Sequence, residues 1–161
     1  MKLDSLTDLL VLNLKDLYSG ETQIYKKGLP AMIKVAEGEL KKGFEDHLKQ
    51  TKEHITRLEE IGKIMGTNFK GMKCVAMEGI IQEGAEIIKF KPTGNVNMAG
   101  LIGAGQKVEN YEIGSYASAV ILAKKIGLKD VVKLLTTTLI EEEATSKKLT
   151  RLAENNIESE K

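Results

Sequence analysis

The chain has 161 residues, 42% of them hydrophobic and 29% charged, with 24 Lys and Arg nearly cancelling 23 Asp and Glu. That length suits one domain and that composition a folded one, and the balanced charge gives no global footprint for nucleic acid or an anionic membrane surface. Only 4% aromatic residues and no Trp argue against a β-sandwich, and the lone cysteine, Cys74, excludes an internal disulfide and multi-cysteine zinc motifs.

No apolar run approaches the ~20 residues of a membrane span. The first residues, MKLDSLTDLL, carry acidic groups and no small-residue cleavage site, so they do not read as a secretory leader. The expectation is a cytoplasmic protein.

Apolar spacing is helical nearly throughout. In residues 4–35, Leu10, Leu14, Leu17, Glu21, Ile24 and Gly28 step by four and three and define one helix face. Asp4 or Ser5 is the candidate N-cap, Asp8 adds negative charge to the first turn, and Gly28 with Pro30 predicts a kink. The second long helix, residues 39–65, presents Leu40, Phe44, His47, Thr51, His54, Leu58, Ile61 and Met65, and Gly66 is its natural stop. A shorter helix follows at 74–89, with Met77, Ile80, Ile81, Ile87 and Ile88 apolar. The third long helix, 97–126, shows Leu101, Gly105, Val108, Glu112, Ser115, Ala119 and Leu122 on one face and ends at Gly127. The fourth, 130–154, carries Leu135, Leu139, Glu142, Ser146, Leu149 and Ala153. The polar end, 155–161, is expected to fray.

Four long helices, with one long crossover that holds an extra short helix, predict an all-α, single-domain, ferritin-like four-helix bundle. A plain up-and-down bundle is the competing arrangement. The apolar positions of the short helix cover more than one face, which predicts burial against the bundle or a second subunit and hence a homodimer or larger homo-oligomer.

The stripes are interrupted by polar residues near mid-helix: Glu21, then His47 and His54 flanking Thr51, then Glu109 and Glu112, then Glu142 with Glu143 beside it. An unpaired buried carboxylate costs several kcal/mol, so such groups are paired, protonated or metal-bound. Imidazole and carboxylate at one level of a bundle are the donors of a dinuclear iron or manganese site. The bland alternatives are a hydrogen-bonded core histidine and solvated glutamates at the stripe edge. In the run Glu141–Glu143 the heptad alignment favours Glu142 as the inward residue. Glu21, His54, Glu112 and one of Glu142 or Glu143 are expected within ~8 Å of one another, compatible with metals ~3.5–4 Å apart. His47 lies about 10 Å from His54 along the helix. At most one histidine is therefore expected to join a compact site. His54 is favoured, with His47 and Thr51 in the layer around it. Tyr18, Tyr25, Tyr111 and Tyr116 lie on the long helices, where core packing is the favoured reading and the alternative is that one near the metals carries an electron or donates a hydrogen bond. For Cys74 a packed helix start outweighs a redox role.

The segments LKDLYSGETQ (14–23), HLKQTKEHITRLEEI (47–61), KCVAMEGIIQEGAEII (73–88), QKVENYEIGSYASA (106–119) and TLIEEEATSKKLTRLA (138–153) resemble the YciE/YciF family of stress-associated bacterial proteins. The resemblance covers nearly the whole chain and implies a ferritin- or rubrerythrin-type bundle with a dinuclear metal site. Carried over by position, Glu21 matches the helix-one ligand and Glu109-x-x-Glu112 the helix-three pair. Thr51-x-x-His54 stands where the pattern has Glu-x-x-His. Glu142-x-x-Thr145 and Glu143-x-x-Ser146 lack the helix-four histidine, for which His47 is the available substitute. Two functions follow as expectations: a stress-associated Fe or Mn protein with ferroxidase or peroxide-consuming activity, or a non-catalytic assembly bundle whose incomplete site stays free of metal.

Overall fold

The computed structural model describes residues 3–158, and the described residues contain helices and no strand. Helix α1 (Leu6–Gln23) starts where the sequence places a cap. The Ser5 Oγ accepts the Asp8 backbone N–H at 3.1 Å, and its hydroxyl donates to the Asp8 carboxylate at 2.6 Å. The same carboxylate also accepts the N–H of Asp4, the residue before the cap, at 3.2 Å. The expected kink takes another form. Residues Ile24–Gly28 make one π-helical turn, and α2 (Leu29–Ile33) continues from it with Pro30 in its first turn, where a missing N–H is harmless.

Helix α3 (Gly38–Ile64) buries Leu40, Phe44, His47, Thr51, His54, Leu58 and Ile61, one residue from each successive turn. It stops at Gly66, whose φ of 62° is the left-handed conformation that favours glycine, with the Thr67 N–H returning to the Gly62 carbonyl at 2.9 Å. The crossover to the next long helix holds α4 (Val75–Lys89). Cys74 caps it, its Sγ accepting the Met77 N–H at 3.3 Å. Met77 is fully buried, and Ile80, Ile81 and Ile88 pack on the bundle, so most of the apolar face of α4 is covered within the chain. Val75 and Phe90 remain exposed.

Helix α5 (Gly94–Ile126) and helix α6 (Lys129–Asn156) are joined by a tight reversal at Gly127, where φ is 83° and the Leu128 N–H bonds the Ala123 carbonyl at 3.0 Å. The expected fraying beyond residue 158 lies outside the described residues. Helix α5 packs most extensively on α6. Helix α1 packs more on α5 than on α3, and α3 also meets α6, which closes the four-helix bundle.

The bundle has two apolar cores. One contains Leu10, Leu14, Leu17, Leu58, Ile61, Leu135 and the ring of Tyr116. The other contains Ile24, Leu29, Phe44, Leu101, Val108 and Leu149. Between them in sequence on every long helix lie buried polar residues: Glu21, His47 to His54, Glu109 to Glu112, and Glu142.

Candidate metal centre

The helical period brings these residues together. Glu21 follows Leu14 and Leu17 on the inner face of α1, and Glu142 follows Leu135 and Thr138 on that of α6. Glu109 and Glu112, one turn apart on α5, are both buried. Their ligand atoms form two groups. His47, Glu109, Glu112 and Glu142 offer atoms all within 4.8 Å of one another, as do Glu21, His54 and Glu142. Glu142 belongs to both.

In the first group His47 Nε2 is 3.1 Å from Glu109 Oε1 and 4.0 Å from Glu142 Oε2. In the second His54 Nδ1 is 2.8 Å from Glu142 Oε1 and 3.3 Å from Glu21 Oε1. These approaches are close but not aligned as hydrogen bonds. Among the described residues, nine buried side-chain atoms have no hydrogen-bond partner, and all nine belong to Glu21, His47, His54, Glu109, Glu112 and Glu142.

The structure corrects two expectations. His47 is not confined to an outer layer, because its ring shares a carboxylate with the His54 group. The two rings lean toward each other and offset much of the rise between their backbones. Glu143 is exposed and turned away, while Glu142 is fully buried. Thr51, expected outside the donor set, lies buried between the histidines and donates its hydroxyl to the His47 carbonyl at 2.9 Å, a helix-internal bond.

Three further residues support the donors. The Tyr116 hydroxyl donates to Glu21 Oε1 at 2.6 Å, so it is the tyrosine that the sequence left unassigned among four. Glu141 Oε2 lies 2.9 Å from His54 Nε2, and its Oε1 accepts from Arg57 Nη2 at 2.9 Å. Arg57 Nη1 also donates to the Thr138 hydroxyl at 3.2 Å. Sequence reasoning missed Arg57 and Glu141. A signal existed, since Arg57 is one turn from His54 and is one of only two arginines in the chain.

The electrostatics follow from burial. Burial raises the pKa of Glu21, Glu112 and Glu142 above the usual carboxylate range, and that of Glu109 to about 8. Neighbouring carboxylates push Glu112 further in the same direction. For His54 burial acts downward, but Glu21 and Glu142 outweigh it and raise the ring to about 11. Glu141, half-buried, is held below its ordinary value because Arg57 and His54 outweigh its partial burial.

The donor set fits a pair of divalent cations. Four buried carboxylates, Glu21, Glu109, Glu112 and Glu142, match the charge of two such ions. Two imidazoles supply one nitrogen donor to each group, and the unpartnered atoms are those that coordination would use. Cys74 is not part of it. Its Sγ lies 3.2 Å from Asp16 Oδ2 and 3.1 Å from the Tyr111 hydroxyl, and burial raises its pKa, so the thiol is a packed cap.

Residues 5–161 match the model of a family described as a domain of unknown function, DUF892. The chain belongs to the DUF892 family. It is 40% identical over 159 residues to the protein YciF of Escherichia coli (strain K12), which covers 98% of this chain and 95% of YciF. The crystal structure of the E. coli stress protein YciF matches with a TM-score of 0.93 at 38% identity, over 98% of this chain and all of that one. YcfI of Rhodopseudomonas palustris matches with a TM-score of 0.87 at 36% identity, over 92% and 95% of the two chains. A Xanthomonas campestris protein, at 20% identity and a TM-score of 0.74 over 93% and 92%, shares the fold. The resemblance read from the sequence is thus the family found. No described helix of this DUF892 chain is long and apolar enough to cross a membrane.

Proposed function

We propose that this DUF892 protein holds two divalent iron or manganese ions in the centre of its bundle and uses them to react with dioxygen or a peroxide. The observation that carries this reading is the set of nine unpartnered buried atoms on six ligand-type residues. A bundle that kept these groups for structure alone would leave several carboxylates desolvated with nothing to repay the cost. One ion would be held by Glu21, His54 and Glu142, the other by His47, Glu109, Glu112 and Glu142. When bound, such a pair supplies two electrons, one from each ion, to the oxidant.

The remaining chemistry belongs to the chain. Tyr116 occupies Glu21 Oε1 and leaves Oε2 free for an ion. Glu141 faces His54 Nε2 and leaves Nδ1 turned toward Glu21 and Glu142. Leucines and isoleucines on either side exclude water from the centre. His47 takes the place of the histidine that α6 lacks. The E. coli relative is described as a stress protein, and oxidant consumption is the stress-related activity this centre would serve.

The test is metal analysis of protein purified without chelator and after anaerobic reconstitution with Fe(II) or Mn(II). About two ions per chain are expected, and fewer than about 0.1 after reconstitution would overturn the reading. Iron oxidation under dioxygen and under peroxide then separates the two activities.

A further inference from the structure

A cavity of about 50 Å³ lies between the π turn with α2, α3, α4 and α5. Ile24, Phe44, Ile81, Ile88 and Ala104 form its apolar wall, and His47 with Glu109 closes its inner end. These two are the only side chains in the lining that can hydrogen-bond. His47 is 5% and Glu109 1% exposed, and His47 Nε2 and Glu109 Oε2 have no hydrogen-bond partner.

The space depends on small residues and on the π turn. Gly28, Gly84 and Gly105 all line it. A Cβ at residue 84 would stand 3.4 Å from that of Ala104, and one at residue 105 would stand 3.0 Å from Leu149 Cδ1. Side chains of neighbouring helices already stand against these two glycines, so a larger residue at either would crowd them.

We infer that this cavity is a binding and delivery site for dioxygen on the His47 side of the metal centre, an inference that rests on the metal reading above. The chemistry of the wall selects the ligand. A cation would lose its hydration against isoleucine and phenylalanine, and a peroxide would give up hydrogen bonds with nothing to replace them before His47. An apolar diatomic molecule loses neither, and apolar cavities of this kind stay dry and take up apolar guests. Polar reactants have another approach: a groove between α3 and α6, lined by Asp46, Glu53 and Glu141 together with Lys49 and Lys148, also reaches His47. The site thus separates its oxidant from its cations by polarity, and dioxygen is the preferred oxidant.

The test uses xenon as the apolar probe on crystals of the full chain, together with Ala85→Leu, which fills the cavity from another lining position on α4, and Ile88→Ala, which widens it. Wild-type crystals under xenon pressure should show one xenon between Ile81 and His47, Ala85→Leu none, and Ile88→Ala a higher occupancy. In anaerobically loaded protein, Ala85→Leu should slow oxidation of Fe(II) by dioxygen roughly tenfold. Oxidation by hydrogen peroxide and the number of ions bound should not change. An empty cavity in the wild type, or an equal loss with both oxidants, overturns the proposal. If Ala85→Leu does not fold, Ile88→Ala decides: raised xenon occupancy with a dioxygen rate at or above wild type supports the route, and a slower one overturns it. A wild type that takes up xenon but no metal refutes the metal reading, and the delivery role falls with it.

Discussion

His47 and His54, two turns apart on α3, bring their ring centroids to 6.4 Å with the planes at 70°. Each ring meets a different carboxylate group, and Glu142 stands in both. Under the two-ion reading proposed above, each ring would serve a different ion. His47→Ala and His54→Ala should each lower uptake from about two divalent ions per chain to about one, with helicity by circular dichroism unchanged. Full loading of either variant, by calorimetry and elemental analysis, would show that its ring is not a ligand.

Glu112 has both oxygens buried and unpartnered, and the carboxylates of Glu21, Glu142 and Glu109 face it. Metal-free protein bears this cost with no return. Glu112→Gln should raise the metal-free melting temperature, by about 2–4 °C for each kcal/mol relieved, while weakening metal binding. A variant that melts lower than wild type in the presence of chelator would show that the Glu112 carboxyl is already satisfied.

The metal-free chain should lose stability as pH rises. Glu109 keeps its proton up to about pH 8 in the fold but gives it up near 4.5 when unfolded, so the folded state binds more protons between those values. His54 contributes in the same direction. Its stabilisation is complete below about 6.5 and is lost as pH rises toward about 11. Metal-loaded protein should behave oppositely on the acid side, where protons compete for the ligands. Melting curves with and without chelator from pH 5 to 9 would show the two trends, and parallel curves would refute them.

Glu141 acts on the centre through His54. Glu141→Ala removes the partner of Nε2 and frees Arg57 from its carboxylate, so His54 loses its fixed orientation. Metal affinity should fall about 10–100-fold with stoichiometry retained. Glu141→Gln, which keeps an acceptor oxygen, should recover part of that loss. An unchanged affinity in Glu141→Ala would mean that packing alone holds the ring.

The helix period made much of the centre readable. Steps of three and four put His47, Thr51 and His54 on one inward stripe, and the same period singled out Glu142 from its neighbours in the glutamate run. What stayed hidden depends on contacts between distant segments. Glu141 reads as a solvated residue until Arg57, 84 residues away, is placed against it. The lean of the two histidine rings is a rotamer outcome, so backbone spacing alone made them look too far apart. Nothing in Ile24-Tyr25-Lys26-Lys27-Gly28 marks a π turn in preference to a kink at Pro30, because both relieve the same break in the pattern.

That π turn has a consequence for the phase of the first helix. The buried stripe passes from Ile24 to Leu29, a step of five where a regular α-helix would take four or three. In an unbroken α-helix that additional residue would rotate everything after it by about 100° relative to Glu21, and the wider π turn absorbs it, so Leu29 and Met32 stay buried. Deleting one residue within Ile24–Gly28 would restore the step of four, so an unbroken α-helix would keep Glu21, Leu29 and Met32 on its inner face. The π turn thus holds the ligand-bearing and cavity-lining halves of this helix in one angular register across a supernumerary residue, and loss of that residue would leave both halves facing the core.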